Sequence, residues 1–116
     1  MKILSVTGEQ IPPGKGGSPA DTFTRSIATY VAGKETKTLT VTYPKYFEKV
    51  LAEKGIYDQE AEGVPVNHMA AALFLEKHPD VKTSRQYFND EASFLALFEG
   101  FSLASFKEKY GTATTA

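Results

Sequence analysis

The sequence has 116 residues, 41% of them hydrophobic and 23% charged, which is the composition of a single globular domain with a modest core. Its 13 basic and 14 acidic side chains leave a net charge of −1, so no overall charge attracts nucleic acid or an anionic membrane. The absence of cysteine excludes disulfides and thiolate chemistry. Because no apolar run is as long as a membrane span and no segment resembles a signal peptide, we expect a cytoplasmic protein.

The N-terminal part combines strand patterns with a glycine-rich loop. Residues 1–7 are apolar and β-prone, and the loop GEQIPPGKGG follows them. Ser18 to Asp21 has the pattern of a helix cap, and apolar residues from Phe23 to Val31 fall at helical spacing, which predicts a helix over 22–32. Residues 37–43 alternate strictly, which predicts a strand. Alternatively, 22–32 is a strand that forms a hairpin with 37–43, as its threonines favour.

The chain after Tyr43 is predicted to be mainly helical. A short amphipathic helix begins at Pro44, and Gly55 is placed to end it. The acidic residues 57–63 suggest an exposed connection; their alternating carboxylates would suit a hard cation, but no further ligands accompany them. Residues 63–69 are either a third short strand or the start of a buried helix over 69–77.

The C-terminal third carries a second capping pattern and most of the phenylalanines. The pattern at 83–86 predicts the principal core helix, ending at Gly100, and Ser102 is placed to cap a last helix. The aromatic residues of this region are more numerous than one helix face can easily bury. We expect them to fill the core, with the alternative that some of them form a surface for a partner, and the preferred function depends on this alternative. They are Phe94, Phe98, Phe101, Phe106 and Tyr110.

These patterns together predict one α/β domain over residues 1–110 and a tail over 111–116. The expected sheet has two or three strands, begins with a βαβ unit, is mostly parallel and is covered by four or five helices. The alternative is an α+β fold that begins with an antiparallel hairpin. Such a small sheet has unprotected edges, which favours pairing between subunits.

One local pattern suits a phosphate group. Glycines that let the backbone approach, a lysine and the start of a predicted helix lie together between two elements. The residues are Gly14, Lys15, Gly16, Gly17 and Ser18. The spacing departs from both the Walker A and the dinucleotide-binding patterns, and the alternative is a plain flexible loop.

The stretch from MKILSV through SIATYVAG, with TLTVTYP and EGVPVNHM further on, resembles the N-terminal Rossmann-like half of GT-B glycosyltransferases. The resemblance implies a parallel βαβ unit whose loop, here Gly16 and Gly17, lies at a cleft between two domains. A chain of 116 residues cannot hold the second, donor-binding domain. The resemblance therefore implies a half-domain that binds a ligand or a partner.

The sequence offers no catalytic constellation. His68 and His78 are too far apart for a joint metal site, and no nucleophile motif is present, so we expect no metal and no cofactor. The preferred function is a non-enzymatic interaction module with a homo-oligomeric or other protein partner. A first alternative is a domain that binds a phosphorylated small molecule or nucleotide sugar. A second is nucleic-acid binding, which the balanced charge disfavours, through Lys34, Lys37, Lys45, Tyr46 and Lys49.

Overall fold

The computed structural model describes residues 2–11 and 22–110. Within them the chain forms one four-stranded sheet, five α-helices and two 3-10 turns. The elements in chain order are β1 (Lys2–Ile11), β2 (Phe23–Ala32), β3 (Glu35–Pro44), α1 (Tyr46–Glu53), α2 (Gln59–Glu62), a first 3-10 turn (Val66–His68), α3 (Ala70–Lys77), β4 (Arg85–Tyr87), α4 (Glu91–Leu95), a second 3-10 turn (Ala96–Phe98) and α5 (Leu103–Tyr110).

Residues 23–32 form a strand, so the predicted helix over 22–32 is wrong and the alternative hairpin is confirmed. β2 pairs antiparallel with both β1 and β3, and its side chains alternate between buried and partly exposed. Gly33 has a φ of 65° and belongs to the turn between β2 and β3, where it does not end a helix. The β-branched residues of β2 fit a pleated sheet better than a helix. The capping pattern at 18–21 lies outside the described residues.

The sheet has the order β1-β2-β3-β4, with antiparallel pairing from β1 to β3 and parallel pairing between β3 and β4. The prediction of a mostly parallel sheet is therefore wrong, and a mixed fold with an N-terminal hairpin is correct. The predicted helix starting at Thr83 is also wrong at its beginning, since Arg85–Tyr87 is β4. The Thr83 hydroxyl accepts a hydrogen bond from the Arg85 N–H at 3.2 Å in a turn.

The helix in this region begins later than predicted. Asp90 caps α4 by accepting hydrogen bonds from the Ser93 N–H at 3.2 Å and from the Ser93 hydroxyl at 2.8 Å. These bonds hold the pKa of the Asp90 carboxyl below its ordinary value. After α4 the chain tightens into the second 3-10 turn, and Gly100 follows with a φ of 73°.

Several predicted helices are confirmed. α1 ends before Gly55, whose φ is 70°, and the Ile56 N–H donates to the Leu51 carbonyl at 2.9 Å, as in a glycine cap. Residues 63–69 lead into α3 through the first 3-10 turn and form no third strand. The predicted connection over 57–63 contains the short helix α2, capped by Asp58.

The core lies between one face of the sheet and the helices. That face contributes Val6, Ala28, Leu39, Val41 and Tyr43, which are all fully buried. α3 lies against this face, and the Ala71 N–H at its start donates to the Ser26 hydroxyl of β2 at 2.9 Å. This bond satisfies one of the free N–H groups at a helix start. The opposite face of the sheet takes no part in the hydrophobic core cluster.

Candidate interaction surface

The sheet face opposite the core carries a row of apolar side chains. Phe23, Ile27 and Val31 lie along β2 and are partly exposed, and none of them belongs to the hydrophobic core or packs against it. Ile11 of β1 lies directly opposite Phe23. In the part of the chain that the structure describes, these side chains have no hydrophobic partner from the core, so they form a surface that a second molecule could contact.

Threonines and a salt bridge surround this apolar row. β3 contributes a ladder of hydroxyls on the same face, and Thr29 of β2 lies opposite one of them. The ladder residues are Thr36, Thr38, Thr40 and Thr42. Arg25 pairs with Glu9 at 2.9 Å across β1 and β2, and both side chains are about half exposed. Among these polar side chains Thr42 is buried, at 3% exposed, and the others are at least partly accessible on this face.

β1 is a long edge strand. It has ten residues and, among the described residues, pairs only with β2, so one side of its backbone is free for another strand. A register shift between Ile3 and Ser5 interrupts the pairing with β2, and Leu4 at this point is 45% exposed. The edge spans roughly 33 Å at the usual rise of a strand. The other edge, β4, has only three residues and offers far less backbone.

The predicted aromatic surface lies largely inside the chain. Phe94, Phe98 and Phe106 are no more than 3% exposed. Phe101 is partly buried and packs against the core. Tyr110 is the last residue of α5. The rings of the first four belong to one cluster that fills the interior, and whether any of these residues also meets a partner stays a prediction.

Tyr57 belongs to the same aromatic cluster. Its ring stacks on Phe98 and meets Phe101 edge-on, with centroid separations of 6.3 Å and 5.5 Å. Its hydroxyl donates to the Val64 carbonyl at 2.6 Å. Burial, and then the nearby Glu62 carboxylate, raise the pKa of Tyr57 to about 12. Tyr57 therefore stays neutral and fixes the segment that leads from α2 to α3.

The other predicted binding residues do not form one site. Residues 14–18 of the proposed phosphate loop lie outside the described residues, so that hypothesis stays a prediction. Lys34 and Lys37 lie near the start of β3, whereas Lys45 and Lys49 follow its end. About eight residues of strand separate the two pairs, or roughly 26 Å. Lys37 also approaches Glu35 at 3.7 Å. The predicted lysine cluster is therefore divided between two ends of the molecule.

No protein-family model matches this chain, and no curated protein or solved structure matches it either. The resemblance to GT-B glycosyltransferases therefore stays a prediction. The parallel βαβ unit that it implies is replaced by antiparallel pairing of β1 with β2. None of the helices in the described residues is long and apolar enough to cross a membrane.

Sequence reasoning anticipated unprotected sheet edges but not that β1 is the long edge of the described sheet, and it missed the apolar row along β2. The signal for the row was present, because Phe23, Ile27 and Val31 recur every four residues, a spacing that fits one face of a strand as well as a helix. The exposure of Leu4 depends on a register shift, and no pattern in the sequence indicates it.

Proposed function

We propose that this chain is a non-enzymatic interaction module that assembles with a second copy of itself through the edge of β1. The observation that carries the proposal is a ten-residue edge strand with an exposed Leu4 and, among the described residues, one unpaired side. An isolated edge of this length exposes a row of backbone donors and acceptors that another strand satisfies. The contact is placed at β1 and not at the aromatic helices, because most of those rings are buried.

The charges of β1 favour a second copy as the partner. Lys2 lies at the start of the strand and Glu9 near its end, and both are exposed. Antiparallel pairing of two β1 strands about a two-fold axis brings each lysine towards the partner's glutamate, whereas parallel pairing brings like charges together. Glu9 already accepts from Arg25 at 2.9 Å, and a carboxylate has room for a further donor.

The paired assembly also continues the apolar row. Joining two β1 edges makes one sheet from two copies, so the surfaces that contain Ile11, Phe23 and Ile27 become neighbours on one continuous face. A continuous sheet removes the long free edge of each copy, which is the arrangement that prevents uncontrolled strand addition. The short β4 edges remain outermost, and they offer little backbone for further growth.

The test is the mass in solution by size exclusion with light scattering, for wild type and two matched variants. The chain mass is 12.7 kDa, and we expect wild type at twice this value in both low and high salt. Leu4→Arg places a charge on the edge and should raise the dissociation constant at least tenfold, or about 1.4 kcal/mol. The control is Ile56→Arg, because Ile56 is similarly exposed, at 39% against 45%, but follows α1 away from β1.

Wild type that stays at the mass of one chain at all concentrations would overturn the proposal. If Leu4→Arg and Ile56→Arg raised the dissociation constant equally, the proposal would also be contradicted. An added charge or a general loss of stability would then explain both effects without a contact at β1. Thermal unfolding of each variant separates loss of assembly from loss of fold.

A further inference from the structure

A polar cleft of about 570 Å³ lies between the end of β1 and the helical segments that follow the sheet. Its walls come from four regions of the chain: the end of β1, the start of α1, the start of α2 and the first 3-10 turn. The residues that carry its chemistry are Gln10, Lys45, Glu48, Gln59, Asn67 and His68. A cavity of this volume accommodates a small organic molecule.

Glu48 is the fixed charge in this cleft. The residue is only 8% exposed, and each carboxylate oxygen accepts one hydrogen bond: from the Tyr43 hydroxyl at 2.8 Å and from the Gln59 side-chain amide at 3.1 Å. The Gln59 carbonyl oxygen in turn accepts from the Val66 N–H at 2.9 Å. Burial, and then the Glu48 charge, raise the pKa of Tyr43 well above its ordinary value, so the phenol remains a donor. The carboxylate is thus held in one orientation with lone pairs to spare.

The side-chain oxygen of Asn67 is a hydrogen-bond acceptor that has no donor among the described residues. Its side chain packs directly on Gly8, where a Cβ atom would overlap it. The Asn67 Oδ1 atom is buried and has no hydrogen-bond partner among the described residues. Leaving a buried carbonyl oxygen without a donor costs about 1–3 kcal/mol, so such an atom is found where a further group completes the site.

The charge of the lining selects the class of ligand. Three glutamates and one lysine, Lys45, line the cleft, and one of the glutamates, Glu9, is already paired with Arg25 at 2.9 Å. Burial lowers the pKa of His68, which keeps its imidazole neutral at neutral pH. With Glu9 neutralised by Arg25, the two carboxylates of Glu48 and Glu60 against Lys45 leave one net negative charge, which favours a cation. The described residues contain no group of three His, Asp or Glu side chains that could hold a metal ion, so the carboxylates do not converge on one point.

We propose that this cleft binds a small organic cation with several N–H donors, of the polyamine or guanidinium class. Such a ligand is long enough to reach acceptors that lie apart from one another, whereas a metal ion needs its ligands around one point. Glu48 is the inner anchor because it is buried and oriented by Tyr43 and Gln59. Asn67, which lines the same cleft, offers a carbonyl oxygen that has no donor among the described residues, and the exposed Glu60 attracts the second positive group.

The experiment is calorimetric titration of the full chain with spermidine and, separately, with agmatine. Glucose and inorganic phosphate serve as neutral and anionic probes. We expect binding of at least one of the two cations with a dissociation constant below about 1 mM, weakened by salt, and no binding of the other probes. Glu60→Gln should weaken binding roughly three- to tenfold and Glu48→Gln at least tenfold.

The matched control is Glu53→Gln, which removes the same charge from the exposed side of α1, outside the cleft. Binding of neither cation, stronger binding of phosphate or glucose, or equal effects of Glu60→Gln and Glu53→Gln would overturn the proposal. The titration is repeated on Leu4→Arg, since unchanged binding there separates the cleft from the assembly of β1.

Discussion

Replacement of Phe94 by alanine distinguishes a core role for the C-terminal aromatic residues from a role as an exposed contact. Phe94 is fully buried, and its ring centre lies 4.4 Å from that of Tyr43, 5.4 Å from Phe47, 5.6 Å from Phe88 and 5.8 Å from Phe98. It therefore joins the sheet, α1 and the second 3-10 turn. Removal of a buried phenylalanine ring costs about 3–5 kcal/mol, and the four ring contacts place this site in the upper half of that range.

The assay is urea unfolding followed by circular dichroism. A loss of about 4 kcal/mol lowers the midpoint by about 2–3 M at a slope of about 1.5 kcal/mol/M. Because this is a large share of the stability of a small domain, Phe94→Leu provides a milder variant with an expected loss of about 1–2 kcal/mol. The surface control is Tyr46→Ala, since Tyr46 is 49% exposed; its ring meets Phe47 edge-on at 4.8 Å, so the loss should be about 1 kcal/mol or less.

A loss below about 1 kcal/mol for Phe94→Ala, together with a fall in solution mass, would refute this reasoning. That outcome would place Phe94 at a contact between molecules, which is the alternative role that the sequence leaves open for these residues. The core role is supported if Phe94→Ala causes a large loss of stability and Phe94→Leu, the milder variant, assembles as wild type does.

Three further perturbations probe the cleft and the cap of α4. Gly8→Ala should destabilise the fold by about 1–3 kcal/mol because its methyl group overlaps Asn67, and the double variant with Asn67→Ala should recover most of that loss in urea unfolding; additive effects would contradict the contact. Burial lowers the pKa of His68 from 6.5, so the unfolded chain binds more protons and stability should fall as the pH drops below about 6.5. Thermal unfolding of His68→Gln should show a weaker pH dependence, and an identical profile would exclude this role. Asp90→Ala should lower the melting temperature at neutral pH, and the difference should disappear as the pH falls through the depressed pKa of Asp90; a constant difference would rule out the charged cap.

The elements that the sequence predicts correctly are those with one dominant local signal. Residues 38–43 alternate between threonine and apolar side chains, and this period of two fits only a strand. Gly55 and Ile56 complete the end of α1 in the expected way, because the cap depends on neighbours along the chain. α3 and α5 follow from strong helical patterns of the same local kind.

The errors arise where distant pairing overrides the local pattern. β2 is a strand because β1 and β3 satisfy its backbone on both sides, although its apolar residues also fit helical spacing. β4 has only three residues and exists through its pairing with β3, from Thr40 opposite Arg85 to Thr42 opposite Tyr87. Such a short segment has too little pattern of its own to indicate a strand.

The candidate sites could not be located from sequence for a similar reason. The cleft brings Gly8 and Glu48 together with Asn67, three residues that are far apart in the chain and that carry no shared motif. A buried glutamate is indistinguishable in sequence from an exposed one on the same helix. The edge of β1 is defined by which strand lies beside it, and that depends on the topology of the whole sheet.

Hydrogen exchange of the β1 backbone, measured by mass spectrometry at low and high protein concentration, tests the assembly through this edge most directly. Pairing of two β1 strands protects amides that point away from β2, so protection of residues 2–11 should increase with concentration, while that of α3 stays constant. Leu4→Arg should abolish the increase. Protection of β1 that is the same at both concentrations would contradict the proposed assembly.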